Sequence, residues 1–381
     1  MERKQAIETR LAQAGSRWDQ HTGAVSMPIY QSATFAHPEL GKSTGFDYSR
    51  TANPTRLAME HALAAAEGGD QAYAFSSGLA AVDCALRLLN SGDHVIVTED
   101  LYGGTFRLFE QAAKPFGIQP VFVDTSQIDA VQTAMQSTGA RAIFVESPTN
   151  PLLKVADLSA LAEICRKQDA LLMVDNTFLT PYCQQPLNFG ADLTIYSATK
   201  YLAGHNDVVA GAIVTARPEL SERVGFFQNA VGAILGPMDS WLTLRGMKTL
   251  PLRMRQQQEN ALRVADWLCG HPRVTNVRYP GLKDAPGRAL LERDGAGFGA
   301  MIAFEVTDAA RVPHILKEVR VFLFAESLGG VESLITYPLV QTHADMDAEL
   351  LARLGISDRL LRLSIGIEYV DDLIADLEAV L

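Results

Sequence analysis

The amino-acid sequence predicts an α/β fold: a parallel sheet with helices on both faces, followed by a smaller, mixed α/β unit. One observation is a series of short apolar runs, at Ala72 to Phe75, Val95 to Val97, Val121 to Val123, Ala142 to Val145, Leu171 to Val174 and Leu193 to Tyr196. Stretches with helical spacing, such as Leu79 to Leu89 and Leu158 to Cys165, separate most of them, and such alternation is what βαβ units produce. The other observation is where the polar residues lie. Phe75 is followed by Ser76-Ser-Gly, Val145 by Glu146-Ser-Pro-Thr-Asn150, Val174 by Asp175-Asn-Thr and Tyr196 by Ser197-Ala-Thr-Lys200. Polar groups thus gather at the carboxyl edge, where open α/β sheets bind ligands.

Taken in order, residues 1–55 show little periodicity and a turn-prone stretch from His37 to Gly45, which predicts an arm rather than a domain. From Pro54 a helix is expected, capped by Thr55, running through Met59, Leu63 and Ala66 and ending at Gly68-Gly69. The strands and helices of a large domain, 56–245, follow. A long helical pattern begins at Asp239 (Trp241, Leu242, Leu244, Leu252, Met254, Leu262), with a kink expected at Pro251. The C-terminal domain, 246–381, has strand-like runs at Met301 to Val306, Val321 to Phe324 and Leu361 to Ile367.

A chain of 381 residues, 48% apolar and 20% charged, has ample material for a core and excludes disorder. Its apolar runs, such as Ala170 to Val174, fall far short of the ~20 residues that span a bilayer, and Met1-Glu-Arg-Lys-Gln has no apolar signal core. A cytoplasmic protein without membrane contact is expected. With 33 Lys and Arg against 44 Asp and Glu, and no basic stripe, nucleic acids are not expected as partners on electrostatic grounds. The four cysteines are scattered without a C-x-x-C pair, so no metal is expected and the thiols fit a reducing compartment.

The densest polar cluster is Ser197-Ala-Thr-Lys-Tyr-Leu-Ala-Gly-His205-Asn-Asp207. A lysine ending a buried apolar strand loses its proton readily, and such amines form Schiff bases; Ser197 and Thr199 suit a phosphate. A lone lysine in a strand-to-helix turn is more often a surface residue. Asp175, ending the preceding core strand, changes the balance: an aldehyde cofactor with a pyridine ring needs a carboxylate at its ring nitrogen, although a lone Asp there is more often a cap or turn former. Ser76-Ser77-Gly78-Leu79, between a strand and a helix, offers amides to an anion. Tyr102 either stacks on an aromatic ring or packs in the core. No Walker loop is present, and Gly295-Ala-Gly-Phe-Gly299 precedes a strand, which excludes a nicotinamide-binding fingerprint.

The chain resembles the Cys/Met-metabolism family of pyridoxal-phosphate enzymes over essentially its whole length. The motifs are Tyr48-Ser-Arg50-x-x-Asn-Pro-Thr55, Ser76-Ser-Gly-Leu, Asp100-Leu-Tyr-Gly-Gly, Glu146-Ser-Pro-Thr-Asn-Pro151, Asp175-Asn-Thr-Phe, the lysine motif from Ser197 to Gly211, Ala325-Glu-Ser-Leu-Gly-Gly-Val-Glu-Ser333 and Arg362-Leu-Ser-Ile-Gly-Ile-Glu368. The resemblance implies fold type I, the aspartate-aminotransferase fold, with a mainly parallel seven-stranded sheet in the large domain. It implies that Lys200 forms the Schiff base with pyridoxal 5′-phosphate, Asp175 holds the ring nitrogen and Tyr102 stacks on the ring. Gly78, Leu79, Ser197 and Thr199 would bind the phosphate, with Tyr48 and Arg50 reaching that of a neighbouring subunit; Leu79 stands where many relatives have methionine. Arg362, with Asn150 and Ser327, would take the substrate α-carboxylate. A homotetramer of two active dimers is implied.

Within the family, an acidic residue such as Glu326 is typical of enzymes that handle cystathionine, where it meets the distal amino group. The stretches Ser43-Thr-Gly-Phe-Asp-Tyr, Gln228-Asn-Ala-Val-Gly-Ala, Asp239-Ser-Trp-Leu and Thr336-Tyr-Pro-x-x-x-Thr-His-Ala-Asp345 resemble bacterial cystathionine γ-synthases. The expected reaction is γ-replacement of an O-acylhomoserine by cysteine, with sulfide as a further nucleophile, in methionine biosynthesis. A cystathionine γ- or β-lyase is the alternative. Thr51 follows the arm arginine where succinyl-preferring relatives often carry a second arginine, which implies that the acetyl ester is used at least as well; Arg107 is the other candidate for a succinyl carboxylate.

Overall fold

The computed structural model describes residues 5–342 and 347–381. The first sheet contains β1 (Gln71–Phe75), β2 (His94–Thr98), β3 (Gln119–Val123), β4 (Ala142–Glu146), β5 (Leu171–Asp175), β6 (Leu193–Tyr196) and β7 (Gly211–Thr215), in the order β1-β7-β6-β5-β4-β2-β3. Its strands run parallel except β7, which is antiparallel to both neighbours. The sheet is thus mainly parallel, as the resemblance implies; which strand is reversed is not legible, because Gly-Ala-Ile-Val-Thr is buried throughout and carries no sign of its direction.

The strands read as continuous apolar runs because both faces are covered. Val95, Val97, Phe144 and Met173 join one core with Val82, Leu86, Leu220 and Val224. The intervening Ile96, Ile143, Val145, Leu172 and Val174 join another with Val131, Met135, Leu158 and Leu161. This is the two-residue strand period, sorted onto two helical layers.

The helices are α1 (Ile7–Ala12), α2 (Pro54–Glu67), α3 (Gly78–Leu86), α4 (Gly103–Arg107), α5 (Ile128–Thr138), α6 (Leu158–Lys167), α7 (Thr180–Cys183), α8 (Pro218–Val231), α9 (Pro237–Met247) and α10 (Leu250–Gly270), with further helices in the C-terminal part of the chain. Asn53, not Thr55, caps α2, its side chain accepting from the amides of Thr55 and Arg56. The Thr55 hydroxyl instead donates to Pro28 O and accepts from Tyr30 N, tying the arm to the helix. The C-terminal end is at left-handed Gly68, as the sequence predicts. Pro251 does not kink one long helix; it sits in the first turn of α10, where a missing N–H costs nothing, and α9 ends before it. The arm is not wholly irregular either, since α1 forms and Leu11, Ala14 and Met27 enter the core.

The second sheet has the order β10-β11-β12-β9-β8. Its strands are β8 (Val274–Arg278), β9 (Met301–Val306), β10 (Leu323–Phe324), β11 (Leu334–Thr336) and β12 (Leu360–Ser364). The runs expected at Val321 to Phe324 and Leu361 to Ile367 are thus shorter or displaced as strands. Ala261, Val264, Ala265 and Leu268 of α10 pack in one core with Ile302, Phe304 and Leu361 of this sheet. The motif stretch from Thr336 to Asp345 lies partly outside the described residues, at 343–345.

Candidate active site

A cavity of about 390 Å³ opens at the carboxyl ends of the parallel strands and is closed by residues of the second sheet. Ser77, Gly78, Leu79, Tyr102, Asn150, Asp175, Ser197, Thr199, Lys200, Glu326, Ser327 and Arg362 all line it. Residues from seven separate motifs are therefore brought to one place by strand order and crossover direction.

The turn from β1 into α3 forms one wall. Ser77 caps α3, its hydroxyl accepting from Ala80 N at 3.1 Å, and the first amides of the helix have no partner within it. Gly78 is required by proximity: a Cβ there would stand 2.9 Å from Cβ of Ser197. The resulting cradle fits a phosphate. Thr199 differs from expectation in its hydrogen bonding, because its hydroxyl donates to Ala210 O at 3.0 Å and accepts from Ala210 N at 2.9 Å.

Lys200 lies beyond the end of β6, and its ammonium donates to Ser327 Oγ at 2.7 Å. Burial and the neighbouring Arg362 guanidinium lower its pKa to about 8, with Glu326 acting in the opposite direction. Asp175, at the end of β5, accepts from Thr177 N at 3.0 Å and Thr177 Oγ1 at 2.6 Å, both at Oδ1. Thr177 Oγ1 in turn accepts from Ser197 N at 2.8 Å, linking the carboxylate strand to the lysine strand. Burial pushes Asp175 above the usual carboxylate range; a cation against it would favour the ionised form.

Arg362, on β12, is 1% exposed. It donates to Asn150 Oδ1 at 2.6 Å, Ser327 O at 3.1 Å and Thr336 Oγ1 at 3.3 Å, while burial lowers its pKa to about 10. Ser327 holds φ at 99°, an uncommon backbone for a non-glycine residue, in the loop that joins the lysine to the arginine. Tyr102 is partly exposed at the start of α4, and its ring lies over Gly104, where any Cβ would collide with it. Glu326 is exposed.

Tyr48 and Arg50 are not among the residues lining this cavity. Arg50 donates to Asn229 O at 2.7 Å and lies 5.5 Å from the centre of the Tyr48 ring. Thr51 bonds the same Asn229, and Arg107 is exposed at the end of α4. The cavity also holds Glu146, Thr177 and Phe178, which sequence reasoning did not single out. Pairing the ends of β4 and β5 would have revealed Glu146, because it is the register partner of Asp175.

An amine of lowered pKa, a buried carboxylate, a glycine cradle at a helix N-terminus and a buried guanidinium fit pyridoxal phosphate and an amino acid. The model of the Cys/Met metabolism PLP-dependent enzyme family matches residues 8–381. The chain belongs to this family. It is therefore a pyridoxal-phosphate-dependent enzyme. A cystathionine γ-lyase of Bacillus subtilis (strain 168) is 50% identical, with 97% of each chain covered. A cystathionine β-lyase of Lactococcus lactis subsp. cremoris (strain MG1363) is 47% identical, with 99% of each covered. The solved cystathionine γ-synthase of Xanthomonas oryzae pv. oryzae, in complex with aminoacrylate and cysteine, superposes with a TM-score of 0.96 at 44% identity, covering 98% of this chain and 97% of that one. The family thus spans cystathionine synthesis and cleavage. Among the described residues, no helix is long and apolar enough to cross a membrane, and no group of three or more His, Cys, Asp or Glu could hold a metal ion.

Proposed function

We propose that this enzyme makes cystathionine by γ-replacement of an O-acylhomoserine with cysteine. The observation that carries the reading is the presence of Arg362 and Glu326 in the same cavity as Lys200, one suited to an α-carboxylate and the other to the distal ammonium of cysteine or cystathionine. Bound pyridoxal phosphate supplies the electron sink for charge left at Cα. Lys200 would be the attachment point and, once freed by substrate, the base that takes the Cα proton; only after its Nζ has handed that proton on to the carbon that had been the cofactor's aldehyde could it take a Cβ proton. Ser327 holds the amine between those tasks. Asp175 would keep the ring nitrogen protonated, Tyr102 would stack on the ring, and Gly78, Leu79, Ser197 and Thr199 would hold the phosphate, the Thr199 hydroxyl turning its hydrogen from Ala210 O to the anion. Asn150 and Ser327 orient Arg362 toward the carboxylate.

Tyr48 and Arg50 complete the phosphate site of a neighbouring subunit, consistent with their exposure away from their own cavity. The active unit is then a dimer, and two dimers form a tetramer. A lyase acting on cystathionine is the second reading, favoured by the 50% identical Bacillus relative. A substrate panel separates the two: O-acetylhomoserine and O-succinylhomoserine with cysteine, against cystathionine alone. Synthesis exceeding cleavage supports the first reading, with the acetyl ester used at least as well as the succinyl ester; cystathionine cleavage much faster than synthesis overturns it.

A further inference from the structure

Glu146 and Asp175 are the last residues of adjacent parallel strands and are register partners, so both side chains project from the same edge into the same cavity. Glu146 is 6% exposed. Its Oε2 accepts from the backbone amide of Tyr102 at 3.1 Å, and its own amide donates to Thr98 Oγ1 at 3.1 Å. No step assigned above uses this carboxyl.

We propose that Glu146 is a positioning residue, whose buried carboxyl accepts the Tyr102 N–H and so seats the backbone of Tyr102 beside Asp175, its register partner. This rests on reading the cavity as the pyridoxal-phosphate site. Two effects compete at Glu146. Amide donors from Tyr102 and Asn150 favour the carboxylate, but burial opposes it, as do the negative charges of Asp175 on β5 and of Asp100 beyond β2. Arg362 on β12 contributes the opposing positive charge, Lys200 beyond β6 lines the same cavity, and Lys154 acts on Asp100. Burial and the like charges win, and Glu146 is pushed well above the carboxylate range. Two ionised carboxylates side by side in a buried site would be costly; one neutral carboxyl still accepts the Tyr102 N–H and adds no charge.

The consequence is mechanical as well as electrostatic. Tyr102 starts α4, and its amide is fixed from the floor while Gly104 sets the height of its ring. Glu146 therefore determines where the stacking ring stands relative to Asp175.

The test uses cofactor-loaded wild type, Glu146→Gln, Glu146→Ala and Asp175→Asn. Two properties are read: the pH midpoint of the visible cofactor band, and cofactor retention on dialysis. A neutral Glu146 predicts that Glu146→Gln keeps the midpoint within about a third of a pH unit of wild type, whereas Asp175→Asn moves it by about one unit or more. Glu146→Ala, lacking the acceptor for Tyr102 N, should hold cofactor about five- to tenfold more weakly, and Glu146→Gln should restore most of that loss. A midpoint lowered by about a unit in Glu146→Gln would show that Glu146 is charged and overturn its role as a neutral acceptor. Undiminished retention in Glu146→Ala would overturn the seating of Tyr102. A wild-type protein with no visible band would instead refute the reading of the cavity itself.

Discussion

Replacing Arg362 with Lys keeps the positive charge but removes the fork. A guanidinium has five N–H donors; here one goes to Asn150, one to Ser327 O and one to Thr336. A hydrogen on Nη1 and the Nε hydrogen remain, and buried Nε has no partner among the described residues. The Nη1 hydrogen is the donor free for a substrate carboxylate. Lysine has three N–H groups on one atom, so it cannot keep those three partners and also serve the carboxylate. The loss is one charge-assisted hydrogen bond, roughly 1.5 to 3 kcal/mol, or about a tenfold to 150-fold fall in kcat/KM. The assay is kcat/KM for the preferred substrate beside an amine analogue without the α-carboxylate, with Tm measured as a control for folding. The analogue should barely distinguish wild type from Arg362→Lys. Equal losses on both substrates, or a variant within about threefold of wild type on the full substrate, would refute the reasoning.

In the protein freed of cofactor, Lys200 with a pKa of about 8 should take up pyridoxal phosphate at a rate rising about tenfold per pH unit and levelling above about pH 8, since only the neutral amine attacks; a rise continuing past pH 10 would mark an ordinary lysine. Glu67 is fully buried, and burial raises its pKa to about 8. A raised folded-state pKa contributes stability that is complete below the ordinary value near 4.5 and is lost as pH rises toward about 8. Glu67→Gln should therefore flatten the fall in urea midpoint between pH 5 and 8, and a wild-type decline retained in the variant would contradict this. Mixing inactive Arg50→Ala and Lys200→Ala subunits should restore some activity, because one site in a mixed dimer has both residues intact; no recovery despite demonstrated exchange would place the arm in its own subunit's site.

Much of the site is legible in the sequence because its residues follow strand ends. Asp175 and Lys200 are found by asking what comes after an apolar run, and the cavity lies at that edge. What is hidden depends on pairing between distant segments. Glu146 becomes notable only through its register with Asp175, and Thr336 only by standing opposite Arg362 on the adjacent strand. The direction of β7 is hidden for a related reason: a strand buried on both sides has no polar face to reveal how it runs. The cap at Asn53 is a closer contest. Thr55 has the right chemistry, but Pro54 suits the first helical position, which moves the cap one residue before it and frees the Thr55 hydroxyl for the arm.

The central claim is that Lys200 carries the cofactor, and borohydride reduction of the yellow holoprotein followed by peptide mass mapping tests it most directly. Reduction should abolish the visible band and leave the pyridoxyl group on the peptide containing Lys200, with no such adduct in Lys200→Ala. An adduct on another lysine of the wild type, or a Lys200→Ala protein that keeps substantial activity without added amines, would contradict the account.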